Sequence, residues 1–254
     1  MTLLYDTQSL FIRAFTKIIR NPTLLFINLF TPLLFLLLFS QLLQKLSVFL
    51  GPSGSYLAYL MPGILVLTVV TGAFQSGMSI VNDLNSGFLS KVLLTPSSRA
   101  AILLGRLATD LLVLIMQSAI IIGLAVLLGL DIVTGVAGLL LIFVTLAFFG
   151  LAWSGLLLAV GLKTRKAETV SAVGNLLVFP LLFVSSALFP ISIMPLWART
   201  VSDYNPLSYV SNVTRDLVNG GLTWSTFASA YAVIGLMAIL TFAATLYQFR
   251  KVVS

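Results

Sequence analysis

The sequence contains neither cysteine nor histidine. Without cysteine the chain has no disulfide, no thiolate nucleophile and no sulfur ligand for a metal. Without histidine it lacks the side chain most often used as a general base and as a nitrogen ligand. Only seven acidic residues are spread over the 254 positions, so carboxylate clusters are not expected either. The composition therefore argues against a metal site and against a nucleophile activated by a neighbouring base.

Charged residues are also scarce. They make up 8% of the chain, whereas hydrophobic residues make up 59% and the mean hydropathy is +1.11. A soluble domain carries roughly a quarter charged residues, so this composition predicts a membrane protein with several spans. No early apolar run has the short core and small-residue cleavage site of a removable signal peptide, so the first span is expected to be retained. In so apolar a chain, the net charge of +7 indicates basic residues on the cytoplasmic face rather than nucleic-acid binding.

A phosphate-binding loop is missing as well. The sequence contains no Gly-x-x-x-x-Gly-Lys and not even a Gly-Lys pair. If ATP powers this protein, another chain binds the ATP and its magnesium. The segment 51–54, Gly-Pro-Ser-Gly, has the Gly-x-Ser-Gly form of intramembrane serine proteases, but no histidine exists to activate the serine.

Long uncharged runs indicate an all-α membrane protein with six transmembrane helices. The first begins at Asn21-Pro22, because asparagine caps helices and proline is tolerated at the first helical position. The fifth is interrupted by Pro180 and Pro190, as happens where a helix packs inside a bundle or lines a polar path. The predicted spans are residues 22–43, 57–81, 100–130, 134–162, 169–189 and 224–249.

Two segments outside the spans are predicted to lie at a membrane surface. Residues 1–20 place apolar side chains on one helical stripe and Arg13, Lys17 and Arg20 on the other side, which predicts an amphipathic interfacial helix. The alternative is a basic tail that only orients the first span. Residues 190–223 are too polar to span but rich in aromatic and aliphatic side chains, which predicts two short external interfacial or re-entrant helices.

A third segment, residues 83–99, separates the second and third spans. It combines an acid, basic residues, a glycine and a Thr-Pro break, so it must lie in water or at a membrane surface. Its centre is short, apolar and compatible with a helix, and Leu89 and Leu93 can share one face while Lys91 stays in water. Such a helix is suited to the groove of another protein.

The distribution of basic residues predicts the orientation. With six spans, all 14 Lys and Arg residues except Lys45, Arg199 and Arg215 lie on the side of the two termini. Cytoplasmic loops carry the excess of basic residues, so both termini and residues 83–99 are predicted to be cytoplasmic. Residues 190–223 then face outward from the cytoplasmic membrane.

Some polar residues fall within the predicted spans. Gln75, Asn175 and the Pro180 break are candidates for a translocation path, although such groups also serve helix packing. Arg106 and Asp110 are four positions apart, which is the spacing for pairing on one helix face. The pair either serves an ion-coupled carrier or is a satisfied pair at the cytoplasmic end of a span, where arginine reaches the headgroups.

The order of these parts resembles that of the permease subunits of type 2 ABC transporters, close to daunorubicin-resistance and lipooligosaccharide or polysaccharide export permeases. The resemblance covers nearly the whole chain, with one acid, Asp83, where such permeases typically have an acidic pair. Three motifs carry it: Arg20-Asn21-Pro22 before the first span; Asp83-x-x-x-Gly87, Leu93-Leu94-Thr95-Pro96, Arg99 and Gly105-Arg106 between the second and third; and Phe189-Pro190, Pro195, Trp197, Asn205-Pro206-Leu207 and Arg215 before the sixth.

The resemblance implies a homodimeric permease that docks two copies of a separate ABC ATPase, which binds the ATP and magnesium. The loop between the second and third spans is then a coupling helix that enters a cleft of the ATPase, and the interfacial helix braces against the ATPase and the lipid. The implied coupling residues are Asp83, Gly87, Leu89, Lys91, Leu93, Thr95, Pro96 and Arg99.

The expected function is ATP-driven export of an amphipathic drug, a lipid or a lipid-linked molecule across the cytoplasmic membrane, by a chain that is not itself an enzyme. Two alternatives stay open from the residues. One is an ATP-independent secondary transporter or channel, motivated by Arg106 and Asp110. The other is a membrane scaffold that transports nothing. No cofactor and no nucleic acid are expected as partners of this chain.

Overall fold

The computed structural model describes residues 22–42, 55–87 and 99–253, together with positions 12, 16, 20 and 44. Within these ranges the chain is helical, with turns and no strand, which confirms the all-α prediction for the described residues. A single 3₁₀ turn covers Ile191–Ile193. The α-helices are α1 (Pro22–Leu42), α2 (Tyr56–Asn85), α3 (Arg99–Leu127), α4 (Gly135–Thr164), α5 (Ala167–Phe183), α6 (Leu196–Asp203), α7 (Pro206–Asn219) and α8 (Trp224–Val253).

Four helices of the described chain, α2, α3, α4 and α8, are long and apolar enough to cross a membrane. Two further helices are apolar: α5 has 17 residues, and α1 has 21, of which the segment Asn28–Leu42 enters this comparison. The six-span topology therefore stays a prediction. Of the predicted interfacial helix, Arg13 and Lys17 lie outside the described residues, while Arg20 is exposed in a turn before α1.

Helix α2 is the centre of the fold. It packs against α1, α3, α4, α5 and α7, whereas α8 lies on α4 and α7. In the most apolar stretch of α2, 67% of the residues are buried by the protein, compared with 17% in the corresponding stretch of α8. A helix that is apolar all round and surrounded by other helices is a core element, so a movement of α2 reaches most of the bundle.

Glycines allow α2 to approach its neighbours closely. A Cβ atom added at Gly77 would lie 2.9 Å from the Leu157 carbonyl oxygen of α4, and one added at Gly161 of α4 would lie 2.8 Å from the Gly77 carbonyl oxygen. A Cβ atom at Gly63 would overlap the backbone carbonyl of Ala187. Small residues at such crossings let backbones pack without an intervening side chain, which holds helices together inside a membrane.

The helix in the region of the predicted fifth span, residues 169–189, ends before residue 189. Helix α5 ends at Phe183, three residues after Pro180, and residues 184–190 form bends and turns. The helix therefore does not continue to residue 189, because side chains from outside α5 bind the carbonyl groups at this point. Asn205 Nδ2 donates to the Leu181 and Val184 carbonyl oxygens at 2.6 and 3.3 Å.

A buried polar cluster at the N-terminal end of α2 completes this arrangement. The Tyr59 hydroxyl donates to the carbonyl oxygens of Ser186 and Phe189 at 2.7 and 2.8 Å, and the Tyr56 hydroxyl donates to that of Leu188 at 3.0 Å. From α7, Arg215 Nη2 also donates to the Ser186 carbonyl oxygen at 2.8 Å. Irregular backbone at membrane depth is tolerated only where protein or water satisfies it, and here side chains do so.

Arg215 also fixes α7 to α2. Its guanidinium carbon lies 3.8 Å from the centroid of the Tyr59 ring, a cation–π contact. Its Nε and Nη2 atoms approach the Tyr59 carbonyl oxygen at 3.3 Å, and Nη1 donates to Asn212 Oδ1 at 2.7 Å. Arginine suits this position because its planar group donates in several directions at once.

A two-residue connection joins α4 to α5. Arg165 has a φ of 54°, and its backbone N–H donates to the Gly161 carbonyl oxygen at 2.9 Å, which ends α4. Lys166 then extends the chain, and α5 begins at Ala167. A left-handed residue at this position is a common helix end, although glycine usually occupies it.

Helices α6 and α7 are the two short helices of residues 190–223. Helix α6 buries the small side chains of Ala198 and Ser202 and exposes larger apolar ones on the opposite face. The exposed residues are Leu196, Trp197, Val201 and Tyr204. The large apolar side chains of α6 thus point away from the protein, and its small ones point into it.

The substitution Gly63→Ala tests the close approach of α2 to residues 184–190. The added methyl group meets a backbone carbonyl that cannot rotate away, so the unfolding midpoint in detergent falls by the equivalent of about 1–3 kcal/mol. Gly123→Ala is the matched control, because nothing lies within 4 Å of its Cβ position. Equal midpoints for the two variants would contradict the close approach.

The substitution Tyr59→Phe tests the polar cluster at the N-terminal end of α2. It removes the donor to two buried carbonyl groups while keeping the ring, so it lowers the free energy of unfolding by about 1–3 kcal/mol. Tyr204→Phe is the control, since that side chain is 82% exposed and is expected to change stability by less than about 0.5 kcal/mol. Chemical denaturation in detergent measures both, and a neutral Tyr59→Phe would rule out a stabilising role for the cluster.

Candidate functional site

The structure describes both ends of the predicted coupling segment. Helix α2 ends at Asn85, and Gly87 turns the chain with a φ of 69°, a conformation that glycine adopts without strain. Helix α3 begins at Arg99. The coupling candidates between these ends, Leu89, Lys91, Leu93, Thr95 and Pro96, lie outside the described residues, as does the side chain of Arg99.

Asp83, the acid at the end of α2, forms an ion pair with Arg106 of α3. Its Oδ2 atom lies 3.2 Å from Arg106 Nη1, and the two side chains are 18% and 14% exposed. Arg106 Nη2 also donates to the Ser76 carbonyl oxygen at 2.8 Å. The side chain of Arg106 therefore binds α2 at two points.

The expected pairing of Arg106 with Asp110 along one helix was wrong. Asp110 Oδ2 instead accepts a hydrogen bond from the Ser76 hydroxyl group. Both side chains reach towards α2, where Asp83 and Ser76 offer them closer partners than they offer each other. The spacing of four residues correctly placed both groups on one face, but that face meets a polar neighbour.

The path candidates flank one contact between α2 and α5. The ring of Phe74 packs against Gly174, where an added Cβ atom would overlap it. Gln75 and Asn175 each follow one partner of this contact; Gln75 is partly exposed and Asn175 is exposed. Neither amide forms a hydrogen bond with the rest of the described chain. The amides therefore have free donors and acceptors at the surface of the protomer.

Pro180 lies one to two turns further along α5 and is exposed. It precedes the irregular residues 184–190, so the α5 side of this surface combines an unpaired amide with a helix end. On α2, the partly or fully exposed polar residues recur at helical spacing while most of the helix is buried. They are Thr71, Gln75, Ser79, Asn82, Asp83 and Asn85.

The sequence did not identify the partner of Asp83. An acid near the end of one helix and an arginine near the start of the next were visible, and helices joined by a short segment are usually neighbours. The sequence also did not indicate that Tyr56 and Tyr59 hold the end of α5. One indication was available: tyrosine hydroxyl groups in the apolar first turns of a helix need acceptors, and the predicted proline break leaves carbonyl groups unpaired.

The chain is similar to a known protein family and to several known proteins. Residues 5–219 match the family described as ABC-2 type transporter. The daunorubicin resistance ABC transporter permease protein DrrB1 of Streptomyces coeruleorubidus is 30% identical over 189 residues, which cover 74% of this chain and 66% of that protein. The chain thus spans about two thirds of the length of that relative.

Two further relatives are similar over most of this chain. The putative transport permease ycf38 of Cyanophora paradoxa is 32% identical over 223 residues, or 85% of this chain and 76% of that protein. The probable doxorubicin resistance ABC transporter permease protein DrrC of Mycobacterium tuberculosis is 25% identical over 191 residues, or 75% of this chain and 68% of that protein. The chain belongs to the ABC-2 type transporter permease family, as the motifs in its sequence predicted.

Proposed function

We propose that this chain is the membrane subunit of an ATP-driven exporter for an amphipathic drug, a lipid or a lipid-linked molecule. Two copies form a homodimer in the cytoplasmic membrane and dock two copies of a separate ABC ATPase, which binds the ATP and magnesium and hydrolyses the ATP. The observation that carries the proposal is the match of residues 5–219 to ABC-2 type transporters, together with relatives named as drug-resistance permeases.

The coupling segment is the proposed contact with the ATPase. It leaves α2 at a glycine turn and returns as α3, so a movement of the segment acts on two helices at once. Its apolar face, Leu89 and Leu93, is suited to a groove, while Lys91 stays in water. The ATPase can change the state of the permease only by the difference between its contacts in the two states.

The proposed topology has six spans with both termini in the cytoplasm. The segment of residues 190–223 is then external, and the outward apolar face of α6 supports its position at the lipid–water boundary. Trp197 and Tyr204 on that face are residue types enriched at membrane interfaces. The basic turn between α4 and α5, with Lys163, Arg165 and Lys166, is on the cytoplasmic side.

The proposed path for the substrate runs along the exposed polar residues of α2 and α5. Gln75 and Asn175 have unpaired amides beside the Phe74–Gly174 contact, and the end of α5 follows Pro180. Amides without charge, set among apolar side chains, fit an amphipathic molecule that combines hydrogen-bonding groups with an apolar body. A second copy facing this surface would enclose the path.

The alternative of an ATP-independent carrier was motivated by the hydropathy, which both functions share, and by the pair of Arg106 and Asp110. Arg106 is paired with Asp83, and Asp110 accepts a hydrogen bond from Ser76, so these charges are engaged in contacts between helices. Proteoliposomes that contain this chain alone test the alternative. Transport that is driven by an ion gradient and is insensitive to ATP would establish it and overturn the proposal.

Replacing both Leu89 and Leu93 by aspartate tests the docking of the ATPase. Two charges on the face that enters the groove oppose its desolvation, so the amount of ABC ATPase purified with each permease falls by at least about tenfold. The measurement is quantitative mass spectrometry of ABC ATPase chains that co-purify with the tagged permease.

The matched control introduces the same charges at two leucines of the proposed external side, Leu196 and Leu222. This variant keeps its ATPase. An unchanged complex in the Leu89 and Leu93 variant would exclude the docking role of the segment. Equal losses in both variants would indicate a general folding defect, and a wild-type chain without any ABC ATPase would overturn the proposed function itself.

Replacing Gln75 and Asn175 by alanine tests the path. Each amide that hydrogen-bonds a transported molecule contributes about 1 kcal/mol, so export of daunorubicin slows by about fivefold per substitution while the ATPase complex stays intact. Efflux from cells loaded with daunorubicin measures the rate. Gln41→Ala, at an exposed amide of α1, is the control and leaves efflux unchanged. Equal efflux by all three variants would remove these amides from the path.

A further inference from the structure

The ion pair between Asp83 and Arg106 joins the two helices that flank the coupling segment. We propose that Arg106 is a positioning residue that makes α2 and α3 move as one unit when the ATPase moves that segment. The inference rests on the proposed function, because it concerns how the docking of an ATPase is passed to the helices. It assigns to one side chain a step that the docking contact alone does not explain.

The geometry places this connection at the base of the segment. Asp83 and Arg106 are 23 positions apart in sequence, and all of the residues between α2 and α3 lie between them. The ion pair therefore closes the segment into a loop whose two ends stay together. A load applied to the middle of such a loop reaches both helices, whereas in an open loop it reaches mainly the nearer one.

The guanidinium group holds α2 at two places. Nη1 binds the Asp83 carboxylate at 3.2 Å, and Nη2 binds the Ser76 carbonyl oxygen at 2.8 Å, two turns earlier on α2. The hydroxyl group of the same Ser76 donates to Asp110 on α3. Three contacts thus tie the first half of α3 to α2, and Arg106 makes two of them.

The connection between α2 and α3 is made by charged groups, and this affects how the two helices can move. A partly buried ion pair adds little stability compared with apolar side chains of the same volume, but removing one partner leaves a charge without compensation. Apolar side chains also let helices slide, because their contacts are not directional. An arginine that binds a carboxylate and a carbonyl group fixes both the distance and the rotation of one helix against the other.

The position of α2 extends the effect. Because α2 packs against five other helices of the described chain, α3 linked to α2 is linked to the centre of the bundle.

The absence of cysteine makes a direct test possible, since a single introduced cysteine carries a spin label at one known place. Labels are placed on α2 at Asn85, which is exposed, or on α3 at Ala108, which is partly exposed. Double electron–electron resonance then measures the distance between the two copies in the dimer, in complex with the ATPase. Each sample is measured without nucleotide and with ATP and vanadate.

In the wild-type background, the two labels are expected to shift in the same direction and by equal amounts between the two nucleotide states. In Arg106→Gln, the shift at one label persists and the shift at the other falls to less than half, although the ATPase still co-purifies. The exchanged pair Asp83→Arg with Arg106→Asp regains at least half of the lost shift. A residue needed only for folding would not separate the two shifts in an assembled complex.

Arg199→Gln is the matched control. Arg199 also donates to two carbonyl groups, those of Met194 and Ser192 at 2.8 and 2.7 Å, but it belongs to α6, on the proposed external side. Its loss leaves both shifts unchanged. Should Arg106→Gln fail to assemble, Arg106→Lys keeps the charge and loses the second contact, and it is expected to reduce the same shift.

The outcomes separate this inference from the proposed function. Unequal shifts in the wild-type background, or unchanged shifts in Arg106→Gln and Arg106→Lys, would overturn the role of Arg106 and leave the exporter intact. No shift at either label in the wild-type complex on addition of ATP and vanadate would overturn the ATP-driven mechanism, and the role of Arg106 with it.

Discussion

Backbone carbonyl groups that have lost their helical partners must be satisfied inside a membrane protein, and this constraint organises the half of the bundle around the end of α5. The chain interrupts α5 after Pro180, and the carbonyl groups beyond it are bound by Tyr56, Tyr59, Asn205 and Arg215. These side chains come from α2, from the start of α7 and from its last turns. The break in one helix thereby determines where α2 and α7 must lie.

An arginine serves each end of the central helix, but the two act differently. Arg215, near the N-terminal end of α2, binds carbonyl groups and an aromatic face, with no carboxylate in its hydrogen bonds, so its contacts are local and fixed. Arg106, near the C-terminal end of α2, binds a carboxylate across the gap between two helices. These two helices are otherwise joined in sequence only by the coupling segment.

The sequence was sufficient for the class of fold, because apolar runs and their polar breaks determine where helices form in a lipid environment. The start of α1 at Pro22 and the two short helices before α8 followed from capping residues and composition. The sequence did not predict which side chains form contacts between different helices. Periodicity shows that Arg106 and Asp110 share a face, but which neighbour that face meets depends on the rotation and depth of α2. The same limit applied to α5, whose end depends on donors from residues 56, 59, 205 and 215.

The turn at Arg165 has a consequence for how many independent movements the bundle has. Helices α4 and α5 are separated by only two residues, so the ends that they join cannot drift apart, and the glycine contacts of Gly77 and Gly161 place α2 against the same end of α4. If Arg106 adds α3 to this group, four helices are held together at one end. Arg215 and Tyr59 join α7 to the opposite end of α2, so this group moves largely as one unit and leaves few coordinates to control.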